Sequence, residues 1–264
     1  MKGIVCYYSG SGNTKLACKY MANKINGVEF DFYNTLKGDA PDLEKYDLIG
    51  FATFTDFWGV PQSFIDFIDS IETKGSKPAF VFNTYGFISG KTLIHMSRLV
   101  ASKGFSIIAG HSLHTPENFP PMIAGGNANL QAPDEKEIKG FNGFISKLDH
   151  LIELMKEGKE IKRPVMSNSF MSSIVPAFAR TRGRVDMGDK YVDETLCDEC
   201  GICKKKCPYN AIELDPKPVF DMEKCYGCWA CYNHCPKLAI YTKKFRGGPH
   251  YPRPHENLVE KLKS

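Results

Sequence analysis

The stretch Ile4-Val5-Cys6-Tyr7-Tyr8-Ser9-Gly10-Ser11-Gly12-Asn13-Thr14 decides the fold of the first half of this 264-residue chain. Its first five residues form an unbroken apolar and aromatic run, which predicts a strand covered on both faces. A glycine-rich turn follows, and a helical pattern begins at Thr14. In such a strand–turn–helix, backbone N–H groups point at an anion placed at the helix N-terminus. Ser9, Ser11, Asn13 and Thr14 add side-chain donors around Gly12, so a phosphate can be satisfied without a basic residue. The loop is not G-x-G-x-x-G and lacks Gly-Lys-Ser/Thr, which disfavours a dinucleotide or a nucleoside triphosphate. Taken alone, it is equally a tight turn with an Asn or Thr cap.

Outward from this stretch, expected strands at 3–8, 28–33, 47–53, 79–84 and 106–110 alternate with helical patterns at 14–25, 61–71, 90–102 and 134–157. Five strands alternating with helices predict a doubly wound α/β fold with a five-stranded parallel sheet, and right-handed crossovers favour the order 2-1-3-4-5. Ligands of such sheets bind at the C-terminal ends of the strands. Two further loops belong there: Thr53-Phe54-Thr55-Asp56-Phe57-Trp58-Gly59, and Asn83-Thr84-Tyr85-Gly86-Phe87. Both place aromatic faces beside glycines. Trp58 is read either as a partly buried hydrophobe or as a ring-stacking residue, and Asp56 either as a cap ahead of Pro61 or as a charge near a bound ring. Gly59 and Gly86 either make turns or admit a close approach of backbone to a ligand.

Ten cysteines are present, eight of them between Cys197 and Cys235. They form two copies of C-x2-C-x2-C-x3-C-P offset by 28 residues: Cys197, Cys200, Cys203 and Cys207, then Cys225, Cys228, Cys231 and Cys235. Three thiolates at two-residue gaps converge on one cluster, and the fourth is carried to the other. One cluster is therefore expected on Cys197, Cys200, Cys203 and Cys235, and the other on Cys225, Cys228, Cys231 and Cys207. Structural zinc usually pairs distant C-x2-C units, which disfavours it. Trp229 is expected to shield a cluster, His234 to be a surface or hydrogen-bonding residue, and Cys6 and Cys18 to be buried thiols.

Residues 190–242 resemble the bacterial two-cluster ferredoxins, with every ligand present. The Ser9–Thr14 loop resembles the phosphate loop of flavodoxins. With Pro116-Glu117-Asn118-Phe119 after the last strand, nearly the whole chain resembles the flavodoxin–ferredoxin fusion proteins. That resemblance implies FMN, two [4Fe–4S] clusters and electron transfer. It implies flavin contacts from Ser9, Ser11, Gly12, Asn13, Thr14, Thr53, Phe54, Asp56, Trp58, Gly59, Asn83, Thr84, Tyr85, Gly86 and Phe87. The expected organisation is a flavodoxin-like domain at 1–163, a linker at 164–190 packed on it, an α+β ferredoxin-like domain at 191–242, and a strap with a short helix at 243–264. Folding of the ferredoxin unit over the C-terminal edge of the sheet is expected to join flavin and clusters, within one subunit or across a homodimer. Rival readings are an NAD(P)H or quinone oxidoreductase with accessory clusters, and a redox sensor with an empty flavin site. No second glycine loop for a nicotinamide nucleotide is visible.

The formal charge of +4 lies wholly in residues 166–264, with 16 basic and 12 acidic groups, against 18 of each in residues 1–165. Two oxidised four-thiolate cubanes at about −2 each would cancel it, which weakens a nucleic-acid reading. Redox proteins are the expected partners, docking on Arg180, Arg182 and Arg184 or on Lys204-Lys205-Lys206. No apolar run is long enough to span a bilayer and no signal peptide is visible, so the expected setting is the cytoplasm of an anaerobe, away from membranes.

Overall fold

The computed structural model describes residues 1–71, 73, 75–161, 164 and 181–263. Five parallel strands, β1 (Lys2–Tyr7), β2 (Glu29–Asn34), β3 (Leu48–Phe54), β4 (Pro78–Tyr85) and β5 (Ser106–His114), form one sheet in the order 2-1-3-4-5. β1, β3 and β4 are buried almost end to end, as central strands of a doubly wound sheet must be. On one face, α1 (Asn13–Lys24) and α5 (Glu135–Lys156) cover Val5, Leu48, Phe80 and Phe82. On the other, α2 (Gln62–Asp69) and α3 (Thr92–Ser102) cover Ile4, Phe51 and Val81. A capping box between Asp134 and Glu137 starts α5. A short α4 (Pro120–Ala124) lies between β5 and α5.

β5 runs four residues past the expected stop at 110. His111 and His114 are therefore strand residues. His111 stacks on Phe141 and Phe144 with ring centroids 5.7 and 5.1 Å away, and burial lowers its pKa to about 4.

The 28-residue offset of the cysteine motif is a structural repeat. β6 (Lys190–Val192) pairs antiparallel with β9 (Ile240–Thr242), and β7 (Ile212–Asp215) with β8 (Lys217–Phe220). Asp193 N–H donates to the Ala239 carbonyl and, 28 residues on, Asp221 N–H donates to the Ala211 carbonyl. Left-handed backbone recurs at the same spacing, at Glu199 and Gly227, Gly201 and Trp229, and Asn210 and Leu238. Two short helices, α7 (Ile202–Lys206) and α8 (Ala230–His234), follow the second of these pairs.

Of the segment expected to link the units, residues 165–180 lie outside the described residues, Arg180 among them. Beyond them the chain forms α6 (Thr181–Met187), and Met187 is buried in the core of the cysteine-rich unit. The chain end returns to the first unit. Leu258 and Leu262, on and just after α9 (Glu256–Lys261), are buried in the core around Val5, Ala17 and Ile145. Among the described residues, no helix is long and apolar enough to cross a membrane.

Candidate functional site

The C-terminal ends of β1, β3, β4 and β5 open into two adjoining cavities. The smaller is polar, lined by Ser9, Ser11, Asn13, Thr14, Thr84 and Thr115, with Tyr85 and Gly86 at its edge. Left-handed Gly12 turns the chain into α1, so the first N–H groups of the helix have no partner within it. Several side chains around the loop are spent on holding it. The Asn13 amide donates to the Pro116 carbonyl at 3.1 Å and its oxygen accepts from the Tyr251 hydroxyl at 3.1 Å. Thr14 and Thr84 share a hydroxyl hydrogen bond of 2.8 Å, and Ser11 Oγ accepts from Asn118 Nδ2 at 2.9 Å.

The larger cavity, about 220 Å³, is largely aromatic, with Phe54, Phe57, Trp58, Phe87 and Phe119 in its wall. Phe57 and Trp58 are consecutive left-handed residues, φ 50° and 64°, in a tight turn closed by Asp56 N–H to the Gly59 carbonyl at 2.9 Å. Such backbone is costly for large side chains and accumulates at functional sites. Here it turns two rings towards the cavity. On the facing loop, a Cβ at Gly86 would fall 2.7 Å from the Cα of Glu117, so only glycine lets the two loops close. The Gly86 carbonyl is fixed by Asn129 Nδ2 at 2.6 Å and by His114 Nε2 at 2.9 Å.

Among the residues expected to hold a flavin, Ser9, Ser11, Asn13, Thr14, Phe54, Asp56, Trp58, Thr84, Tyr85, Gly86 and Phe87 line these cavities. Gly12, Thr53, Gly59 and Asn83 shape the surrounding backbone without lining either. The Asn83 amide instead ties Thr55, Ser89 and Ser112 together beneath the loops. Glu117 lies in the wall of both cavities and was not among the expected residues. Burial raises its pKa, opposed by the Phe119 and Asn118 N–H groups that donate to it. Its place in Pro116-Glu117-Asn118-Phe119 was the available signal.

The cysteines line two further cavities, and the sets interleave. Cys197, Cys200, Cys203 and Cys235 surround one. Cys207, Cys225, Cys228 and Cys231 surround the other. Among the described residues, no group of three or more His, Cys, Asp or Glu side chains closes on a single-ion centre. Four thiols around a void fit a polynuclear cluster better than one tetrahedral ion. Backbone donors reach the sulfurs at equivalent places, Ala211 N–H to Cys207 Sγ at 3.4 Å and Ala239 N–H to Cys235 Sγ at 3.3 Å. Lys190 also points inward: its ammonium is 3.6 Å from Cys225 Sγ. Its burial lowers its pKa, but the surrounding Cys231, Cys225 and Cys228 outweigh this, and the net shift is upward.

The aromatic cavity and the second cysteine cavity share a wall. Cys228 lines both, and Gly227, Trp229, Ala230, Asn233 and His234 close the aromatic cavity from the cysteine-rich side. Trp229 is 2% exposed and packs edge-on against Phe119 of the first unit. Its indole N–H is buried without a partner among the described residues, and an acceptor on a prosthetic group would satisfy it. His234 is partly buried, with Nδ1 3.0 Å from the Ala230 carbonyl oxygen. The residues present thus fit a flat aromatic ring carrying a phosphate tail, beside thiolate-bound clusters.

A doubly wound sheet with a phosphate-type loop, joined to a repeated four-cysteine unit, defines an electron-transfer flavin and iron–sulfur protein. The chain belongs to the flavodoxin–ferredoxin fusions: residues 4–93 match the flavodoxin domain and residues 196–239 the 4Fe-4S dicluster domain. It is 31% identical over 151 residues to an uncharacterized protein of Methanocaldococcus jannaschii, across 56% of this chain and 98% of that protein. A ferredoxin of Pyrobaculum islandicum is 41% identical over 51 residues, 19% of this chain and 48% of the ferredoxin. Among solved structures, a flavodoxin from the domain Archaea is similar at 18% identity and a TM-score of 0.42, over 58% of this chain and 99% of its own. A Streptococcus pneumoniae flavodoxin gives 18% and 0.44, over 57% and 99%.

Proposed function

We propose that this protein carries electrons between two [4Fe–4S] clusters and FMN within one chain, joining one-electron partners to a two-electron one. The clusters sit on Cys197, Cys200, Cys203 and Cys235, and on Cys207, Cys225, Cys228 and Cys231. FMN, when bound, supplies a centre that exchanges one or two electrons, whereas each cubane passes one.

The Ser9–Thr14 loop holds the phosphate through its hydroxyls and the N–H groups at the start of α1. Phe57, Trp58 and Phe87 flank the ring and exclude water. Asp56 disfavours negative charge on the ring and so lowers its potential. Trp229 and Phe119 seal the seam between ring and cluster. The observation that carries this reading is Cys228, a cluster ligand that also lines the flavin cavity. A second copy of the chain is not required for the transfer. Cys200, the exposed ligand of the other quartet, marks the side on which an outside one-electron protein would dock. Lys205 and Lys206 are exposed on α7, while Lys204 is paired with Glu213 at 2.5 Å.

Anaerobic purification with quantitation of iron, sulfide and flavin tests the cofactor set. About eight irons, eight sulfides and one FMN per chain are expected. Flash reduction of the loaded protein then tests the relay. Rapid, concentration-independent redistribution between cluster and flavin absorbance supports it. Absence of FMN binding, or transfer only at rates proportional to protein concentration, overturns it.

A further inference from the structure

We propose that Lys190 sets the order of the two cluster potentials, making the cluster held by Cys207, Cys225, Cys228 and Cys231 the easier one to reduce. The inference rests on the reading above that each quartet holds a cubane. The internal repeat supplies the comparison, because the cysteines and several other residues around one cavity have counterparts 28 residues away around the other. Lys190 corresponds to Pro218, and each lines its own cavity. The two quartets share their cysteine spacing and the Ala211 and Ala239 N–H donors. One cavity therefore has a buried ammonium in its wall where the other has a proline ring.

Lys190 is only 7% exposed, although lysine is almost never buried without a compensating partner. Among the described residues no carboxylate pairs with it, and its hydrogen bonds go to the sulfurs of Cys225 and Cys231. The opposite asymmetry surrounds the other cavity. Asp198 and Glu199 line it where the repeat places Tyr226 and Gly227 on the Lys190 side. Each reduction adds one negative charge to a cluster. A fixed cation in a low-dielectric wall stabilises that added charge, and nearby carboxylates oppose it.

Both differences act in one direction. An electron delivered by an outside one-electron protein to the cluster at Cys200 then moves downhill to the cluster at Cys228, against the flavin cavity. One cluster is oxidised and the other reduced by a single electron, with no proton moved and no further reactant.

The test is an anaerobic redox titration of the loaded protein, followed by electron paramagnetic resonance, on wild type, Lys190→Met and Lys190→Arg. Wild type is expected to reduce its clusters in two separate steps. Lys190→Met, which keeps the apolar stem, should make the first-reduced cluster at least tenfold harder to reduce, about 59 mV for a one-electron couple. The other cluster should hardly move, and Lys190→Arg should restore most of the loss. Coincident clusters in wild type overturn the proposal, as does an unshifted or equally shifted pair in Lys190→Met at full iron and sulfide content. Should Lys190→Met not assemble its clusters, the wild-type titration together with Asp198→Asn decides. Asp198→Asn must make the later-reduced cluster easier to reduce, and no shift there overturns the proposal. Wild type with fewer than two cubanes per chain defeats the underlying reading instead, a result recognisable from iron content alone.

Discussion

Asn233 of the cysteine-rich unit donates its side-chain amide to the main-chain carbonyl of Asn118, at 2.9 Å, across the seam between the two halves of the molecule. Asn118 in turn donates its own amide to Ser11 in the phosphate-type loop, also at 2.9 Å. The other end of Asn233 accepts from Tyr251 N–H at 3.2 Å. One buried side chain thus ties a cluster-bearing helix, a flavin-side loop and the returning tail together. Asn233→Ala leaves a buried carbonyl and a buried N–H unpaired, and should cost about 2–3 kcal/mol. It should also slow cluster-to-flavin transfer several-fold. Asn233→Asp cannot donate to Asn118 and buries a charge beside its oxygen, so it should be the more damaging of the two. Thermal melting and flash photolysis of the loaded variants check both statements.

Trp58 offers a test in which stability and binding move in opposite directions. Its left-handed backbone, φ 64°, is disfavoured for a bulky residue by about 1–2 kcal/mol. Trp58→Gly removes that strain together with a ring in the cavity wall. The flavin-free protein should therefore gain about 1 kcal/mol while FMN affinity falls tenfold or more. Flavin fluorescence titration and melting of the apoprotein separate these effects. Unchanged affinity would remove Trp58 from the binding site.

The sheet and the cysteine sets were legible because each is written as local periodicity. Alternating apolar runs and helices lead to the strand order, and a repeated spacing of two, two and three residues leads to the interleaved quartets. What escaped depends on side chains brought together from distant positions. Lys190 and Pro218 look unrelated until the repeat is folded. Asn233 reads as an ordinary helix residue until Asn118, 115 positions earlier, comes to lie against it. The extra length of β5 escaped because His111 and His114 look polar, yet one stacks among phenylalanines and the other bridges Gly86 and Glu137. Asn83 is expected at the flavin because its loop lies at a strand end, and no local pattern shows that its side chain also ties Thr55, Ser89 and Ser112 together.

His111 should impose an acid limit on the first unit. Its pKa is lowered by burial to about 4, from about 6.5 in an unfolded chain. Between these values the unfolded chain binds the proton and the folded one does not, so folding stability falls as pH drops. The contribution is complete above about 6.5 and lost progressively towards 4, to a total of about 3 kcal/mol. His111→Leu should flatten this limb. Melting of the loaded protein at intervals between pH 7 and 5 provides the comparison, and parallel wild-type and variant curves would refute the assignment.

The tail makes the strongest demand on the idea that the two units are one device. Leu258 is fully buried in the core of the first unit, although 59 residues of cysteine-rich domain and strap, from Cys197 to His255, precede its helix. Between the units the strap lays Pro254 against Gly12 and Tyr251 against Asn13, so its hold on Leu258 is also a hold on the phosphate-type loop. Leu258→Ala should cost about 2–5 kcal/mol, in the range of a buried leucine, and should weaken FMN binding although Leu258 lines neither flavin cavity. Val259→Ala, on the more exposed face of the same helix, should change stability by no more than about 0.5 kcal/mol and leave affinity untouched. If Leu258→Ala lowers the melting temperature while FMN affinity stays at the wild-type value, the strap anchors the chain end without bracing the loop.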